Sequence, residues 1–222
     1  DVNARIQQKD AYRKYASEEF DRVLAAMGMV DRADFLPEEA PKEEAYLNKP
    51  ISLGSQGLHS CSQPIVVALM AYFLDLEEGL RVFELGYCSG YSTAVTAHLI
   101  GETGYLFGAE RSPTFAKSGR ENLEVHLKKC NLKRNVHLFE GDGMLLVSEH
   151  APFDRIYLTA GVDNSFDPKE LAKYLKPEYG ILVFPQQEGY LFKQVYQRGM
   201  LVKEMKESDF HFVPLIQNDR IA

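Results

Sequence analysis

Three short stretches carry the residue types that could handle a polar small molecule. The first is Phe83-Glu84-Leu85-Gly86-Tyr87-Cys88-Ser89-Gly90, the second Gly108-Ala109-Glu110, and the third Glu140-Gly141-Asp142-Gly143. Glycines let a ligand approach the backbone closely, and the N–H groups that open a helix are without partners inside it. A carboxylate about 20 positions beyond a glycine turn is placed to accept from both hydroxyls of a ribose. The fingerprint of a dinucleotide site, G-x-G-x-x-G, needs glycine where this chain has Cys88 and Tyr91. An acidic residue two before the first glycine and a second glycine four after it fit the turn that binds S-adenosylmethionine (AdoMet) better. On that reading Glu84 answers the methionine ammonium, Glu110 holds the ribose and Asp142 reaches the adenine amino group. Each motif alone is equally readable as turn chemistry or a surface carboxylate.

The three motifs must end three successive strands for this to work, and the apolar pattern supplies them. Strands are expected at Arg81–Leu85, Tyr105–Ala109, Val136–Phe139, Phe153–Leu158 and Gly180–Phe184. Helices are expected at Ser92–Ile100, from Ser112-Pro113 toward Cys130, and over Pro168–Leu175. Such alternation implies an α/β fold with a parallel sheet covered on both faces, and ligands bind beyond the carboxyl ends of its strands. The stretch from Tyr190 to Ile216 reads as antiparallel strands. Upstream, apolar residues at spacings of three and four predict a helix from Ala4 to Met29. Val30–Ser62 is punctuated by prolines and glycines and reads as loops. A further helix begins near Pro64, with Ser62 as its possible cap.

Composition narrows the class. The chain has 222 residues, 45% of them hydrophobic and 26% charged, enough for one core and a polar surface. Its formal net charge of −7 and interspersed lysines and arginines argue against a nucleic-acid partner. Three cysteines without a C-x-x-C pair argue against a disulfide framework or a metal site and suit a reducing, cytoplasmic setting. No apolar run approaches the ~20 residues of a membrane span. A monomer is the favoured state.

Beyond the cofactor turn, the chain resembles the protein-L-isoaspartate O-methyltransferases over roughly Val30 to Ile216. The likeness rests on Ser62-Gln63-Pro64, Phe212-Val213-Pro214-Leu215, Phe153-Asp154-Arg155-Ile156, Thr159-Ala160, Leu175-Lys176-Pro177 and Asp31-Arg32-Ala33-Asp34-Phe35-Leu36-Pro37. It implies a Rossmann-like class I methyltransferase: a central, mostly parallel seven-stranded sheet with an antiparallel last strand, helices on both faces and an N-terminal helical extension. Residues 1–62 would form the helix and substrate loop, and 63–222 the AdoMet-binding core. The activity implied is methylation of a peptide or protein carboxylate, that of an isoaspartyl residue in damaged proteins, with S-adenosylhomocysteine as product. By this resemblance Ser62 is catalytic. Cofactor contacts are expected at Ser60, Cys61, Glu84, Gly86, Tyr87, Gly90, Glu110, Arg111, Asp142, Gly143 and Thr159. Substrate contacts are expected at His59, Ser62, Val213, Pro214 and Leu215.

Two features depart from the family pattern. Cys88 stands where the middle glycine of the cofactor turn is usual, and the loop Gly54–Ser62 is about two residues longer, with Cys61 at an isoleucine-like position. The loop motivates an alternative acceptor, the C-terminal or aspartyl carboxylate of a ribosomally made peptide natural product. Cys88 motivates another, a non-catalytic binding protein of the same fold. An RNA methyltransferase is disfavoured by the charge.

Overall fold

The computed structural model describes residues 14–40, 42–54 and 59–215. The N-terminal helix, α1, spans Glu18–Gly28 and is shorter than its apolar spacing suggests. Ser17 ends it early: its backbone is extended, and its side chain accepts from the Phe20 N–H. Glu18, Glu19 and Asp21 then sit in the first turn, where the helix dipole favours negative charge. Residues 4–13 of the expected helix lie outside the described residues. Phe20, Val23, Leu24 and Met27 form the buried face, at the spacing the sequence shows.

The punctuated stretch that follows holds two 3-10 turns, Arg32–Phe35 and Lys42–Tyr46, and a minimal hairpin of β1 (Ile51–Ser52) and β2 (Ser60–Cys61). Residues 55–58, the tip of the lengthened loop, lie outside the described residues. The helix α2 (Pro64–Phe73) has proline in its first turn and is buried almost all round, beneath α1. Ser62 is not its cap. The cap position is Gln63, which makes no side-chain cap bond, and Asn48 Oδ1 instead accepts from the Ile65 N–H at 3.2 Å.

The remainder alternates: β3 (Arg81–Leu85), α3 (Tyr91–Ile100), β4 (Tyr105–Glu110), α4 (Pro113–Lys129), β5 (Asn135–Glu140), α5 (Gly143–His150), β6 (Arg155–Leu158), α6 (Lys169–Ala172) and β7 (Gly180–Gln186). The sheet closes with β8 (Tyr190–Gln197) and β9 (Met200–Glu207), giving the order β5-β4-β3-β6-β7-β8-β9. Strands β3 to β7 are parallel; β8 is antiparallel to β7, and β9 to β8. The chain therefore moves outward from β3 through β5 and returns to the other side of β3 at β6. That reversal leaves the crevice in which open α/β sheets bind ligands.

Three elements differ from the sequence expectation. Gly141-Asp142-Gly143 is not only a turn: Asp142 caps α5, accepting from the Met144 N–H at 2.8 Å, and this helix carries too weak an apolar stripe to be read beforehand. The helix α6 is a single turn rather than the whole of Pro168–Leu175. Strand β6 starts at Arg155, leaving Phe153 in an isolated bridge with Leu175. Alternation along the strands divides the core between the two faces. Val82, Leu106, Tyr157 and Ile181 pack with α1, α2 and α3. Phe83, Phe107, Ile156 and Phe184 pack with Val147 of α5 and Leu171 of α6. Among the described residues no helix is long and apolar enough to cross a membrane, and no group of His, Cys, Asp or Glu could hold a metal ion.

Candidate active site

A cavity of ≈ 490 Å³ opens at the carboxyl ends of β3, β4 and β5, and the motifs singled out in the sequence converge on it. Its floor is the turn after β3. Gly86 has φ 90°, and a β-carbon there would stand 2.6 Å from Thr159 Oγ1. Gly90, with φ 88°, starts α3, and a β-carbon on it would lie 2.8 Å from the Gly119 carbonyl of α4. Between them Cys88 adopts φ 45°, a left-handed conformation that costs a residue with a β-carbon roughly 1 kcal/mol. Its thiol, pushed well above the usual range by burial, lines the cavity without filling it. Thr159 closes the turn from the end of β6, its hydroxyl within reach of the Leu85 (3.1 Å) and Gly86 carbonyls.

Glu110 ends β4 and is nearly fully buried, at 6% exposure. One carboxylate oxygen accepts from the Cys88 N–H at 3.0 Å, and the other from the Ser112 N–H at 2.8 Å. The side chain thus ties the turn after β3 to the start of α4 while still lining the cavity. Each carboxylate oxygen has a second lone pair, so ligand hydroxyls can still be bound. Arg111, Asp142 and Gly143 complete this side of the wall.

The opposite wall comes from the N-terminal region. His59, Ser60, Cys61 and Ser62 all line the cavity. The His59 ring stacks on Phe115 of α4, with centroids 4.4 Å apart. The Ser62 hydroxyl has no partner among the described residues. Val213 and Leu215 line the mouth because the terminal segment clamps onto Gly161: the Gly161 N–H donates to the Val213 carbonyl (2.7 Å), and the Leu215 N–H to the Gly161 carbonyl (2.8 Å).

Three expected contacts lie off the cavity wall. Gly90 and Pro214 are neighbours of the wall, not part of it. Glu84 is fully buried below the turn, where Ser92 Oγ and Thr93 Oγ1 (2.7 Å) donate to its carboxylate. It fixes the first turn of α3 and does not line the cavity. Tyr87 reaches the wall, but its ring is buried between Gly108 and Gly119, and its hydroxyl donates to the Ala116 carbonyl at 3.0 Å.

Burial raises the Glu84 carboxyl from 4.5 to about 7, against the lowering effect of the Ser92, Thr93 and Tyr157 hydrogen bonds. Between those values the folded protein keeps a proton that the unfolded chain has lost, so stability falls as pH rises through this window. Glu84→Gln keeps the shape and removes the titration. The wild type is expected to lose on the order of 3 kcal/mol between pH 4.5 and pH 7 relative to the variant. Denaturant titrations of both proteins at several pH values measure this; parallel profiles would rule it out.

Sequence reading passed over the residue that shapes the N-terminal wall. Arg32 is buried, at 2% exposure, and forms no ion pair among the described residues. Its guanidinium donates to five main-chain carbonyls: Ala45 (3.2 Å), Leu47 (3.4 Å), Lys49 (3.0 Å), Cys61 (2.9 Å) and Ser62 (2.9 Å). Nη1 and Nη2 serve all five carbonyls while Nε finds no partner among the described residues, a spread that a planar guanidinium reaches and a lysine does not. Asn48 assists, capping α2 and accepting from Gln63 Nε2 at 2.9 Å through its carbonyl. The signal was the Asp31–Pro37 segment, which shows its family likeness in sequence but not its partners.

A seven-stranded sheet of this order, with glycine turn and acidic strand ends around one cavity, defines a class I, AdoMet-dependent methyltransferase. Within that class, the family model described as protein-L-isoaspartate(D-aspartate) O-methyltransferase matches residues 4–220, and the chain belongs to that family. A protein-L-isoaspartate O-methyltransferase of Methanothrix thermoacetophila is 36% identical, the match covering 93% of this chain and 92% of that one. One from Anaeromyxobacter dehalogenans is 39% identical, covering 87% and 88%. Among solved structures, a protein-L-isoaspartate O-methyltransferase superposes with a TM-score of 0.77 at 26% identity; the match covers 94% of this chain and 64% of that longer one. A Plasmodium falciparum β-aspartate methyltransferase, solved with S-adenosyl-L-homocysteine, shares the fold with a TM-score of 0.75 at 21% identity, over 98% and 97% of the two chains.

Proposed function

We propose that this protein transfers the methyl group of AdoMet to the side-chain carboxylate of isoaspartyl residues in proteins or peptides. The observation that carries the reading is the cavity itself. One wall presents the Glu110 and Asp142 carboxylates, and the other presents a serine hydroxyl without a partner among the described residues, on a segment whose carbonyls bond to Arg32. A volume of ≈ 490 Å³ is ordinary for a small-molecule site. The donor set fits AdoMet: Glu110 toward the ribose hydroxyls, Asp142 toward the adenine amino group, and Gly86, Tyr87 and Thr159 along the methionine arm. Ser60, Cys61, Arg111 and Gly143 complete the contacts. Because Cys88 leaves the cavity open, it gives no support to a non-catalytic binding protein. Family membership favours the isoaspartyl acceptor over the carboxylate of a peptide natural product.

When bound, AdoMet supplies a methyl group activated by a sulfonium. The acceptor carboxylate is already ionised near neutrality, with an ordinary pKa of about 4, so the protein needs no general base. What remains for it is alignment and exclusion of water. Ser62 donates a hydrogen bond to one carboxylate oxygen and aims the other at the methyl group. His59, Val213 and Leu215 hold the flanking peptide, with Pro214 behind them. The acceptor side is thus built from His59 and Ser62 together with Val213 and Leu215, and the cofactor side mainly from the turns after β3, β4 and β5. The three free thiols, Cys61, Cys88 and Cys130, suit a reducing, cytoplasmic setting.

Ser62→Ala is expected to lower turnover about ten- to a hundredfold, the loss of one positioning bond worth roughly 1–3 kcal/mol. Stability and AdoMet affinity should hardly change, because the hydroxyl caps nothing. Kinetics and thermal melts on one preparation test both halves, and an unchanged turnover removes Ser62 from the mechanism. The acceptor is tested with labelled AdoMet against isoaspartyl, aspartyl and free C-terminal peptides. Methylation of the isoaspartyl peptide alone is expected; transfer only to one of the others would overturn the assignment.

A further inference from the structure

The sheet ends in a strand that is exposed along its length. All residues of β9 from Met200 to Lys206 are exposed, and no described residue pairs with its outer edge. Met200, Leu201, Val202 and Met205 are 64%, 48%, 51% and 38% exposed. A free edge is a template for another strand, and proteins commonly protect it with lysine, since like charges repel any approaching copy. Here the lysines alternate with glutamates, as Lys203-Glu204-Met205-Lys206-Glu207. Read backwards, the same segment places a glutamate against every lysine.

We propose that the outer edge of β9 pairs antiparallel with β9 of a second copy of this chain, about a two-fold axis through Met205. In this register Lys203 faces Glu207 of the second copy, Glu204 faces its Lys206, and Met205 faces Met205. Each ion pair occurs twice by symmetry. The register is also singled out by the pleat. A two-fold axis perpendicular to the sheet keeps each side chain on its own face, so only residues of the same face can meet across it. Shifting the axis by one residue in either direction sets Glu204 or Lys206 against its own copy, with like charges directly opposed. Opposite charges across a strand pair stabilise and like charges destabilise, so this register is favoured over its two neighbours. Glu204 already accepts from Gln194 Nε2 at 2.6 Å, and Glu207 from Lys14 Nζ at 2.6 Å and from the Tyr15 hydroxyl on its other oxygen; each carboxylate oxygen keeps a second lone pair for a further donor. The pairing runs against the monomer favoured on sequence grounds. Because the active-site cavity lies at the carboxyl ends of β3, β4 and β5, on the other side of the sheet centre, it stays open in such a dimer.

Edge pairing buries less than a standard interface, so a weak dimer is expected, with Kd of roughly 10–100 µM at low salt. Sedimentation velocity across that range tests it with two charge variants of the full chain. Lys203→Glu with Lys206→Glu makes the edge wholly acidic, and Glu204→Lys with Glu207→Lys makes it wholly basic. Each alone should dimerise at least tenfold more weakly than the wild type, and an equimolar mixture should form the heterodimer. A wild type that is monomeric throughout, an acidic variant that dimerises like the wild type, or a mixture that does not associate each overturns the proposal. Amide exchange of the wild type supplies a readout independent of variant folding: protection along β9 should rise with protein concentration. A chain starting at residue 14 guards against the other occupant. If it dimerises while the full chain does not, the edge belongs to residues 1–13 and the proposal fails.

Discussion

Glu110→Ala is expected to lower AdoMet affinity about a hundredfold in a protein that still folds. The side chain has two duties. It holds the Cys88 and Ser112 N–H groups, joining the turn after β3 to the start of α4, and by our assignment it accepts from both ribose hydroxyls. Charged hydrogen bonds of this kind are worth roughly 1.5–3 kcal/mol each, so losing the ribose pair alone accounts for the effect. Glu110→Gln should not rescue it. A glutamine amide presents one oxygen and one NH₂, so one of the two main-chain N–H groups would meet a donor instead of an acceptor. Calorimetry with S-adenosylhomocysteine on both variants, beside circular dichroism, measures this. Wild-type affinity in either variant would remove Glu110 from the ribose site.

Arg32→Met should be the most damaging change on the acceptor side. The replacement keeps apolar bulk and strands five carbonyls that the guanidinium now serves. Buried acceptors without partners cost ~1–3 kcal/mol each, and a relaxing loop recovers part of that, so a net loss of roughly 3–5 kcal/mol is expected. The released carbonyls include those of Cys61 and Ser62, whereas Glu110 and Asp142 are held by other segments. Methyl transfer per folded molecule should therefore fall at least tenfold, and affinity for S-adenosylhomocysteine, which loses only the Ser60–Cys61 side of its contacts, by a smaller factor. Arg32→Lys, with three donors in place of the four that Nη1 and Nη2 now use, should fall between the two. If Arg32→Met folds and turns over normally, the guanidinium is a stability element alone.

How much of this was visible in the sequence depends on whether a property is local. Strands β3, β4, β6 and β7 are short apolar runs bounded by turns, and their places follow from pattern alone. Glu110 and Asp142 can be placed on the cavity wall from sequence because a strand end is a definite place once the strand is known. Glu84 illustrates the limit. Its distance from the glycine is right for a ligand contact, but strand alternation turns it toward the Ser92 and Thr93 hydroxyls. Helix α5 was hidden because only Val147 in it is buried. Arg32 and Asn48 were beyond reach for another reason. Their partners lie many residues away on irregular backbone, and no periodicity encodes which carbonyls a loop will turn inward.

The contact between His59 and Phe115 has a practical side. The chain contains no tryptophan, so its intrinsic emission comes from tyrosines, of which Tyr87, Tyr91 and Tyr157 are deeply buried. An indole introduced as Phe115→Trp would be the sole long-wavelength fluorophore, stacked on an imidazole at the edge of the cofactor cavity. Protonated imidazoles quench indole, and a displaced stacking partner changes its colour. The protein thus offers a built-in place for an optical reporter, one that would signal movement of the acceptor loop in real time without a dye, a label or a coupled assay.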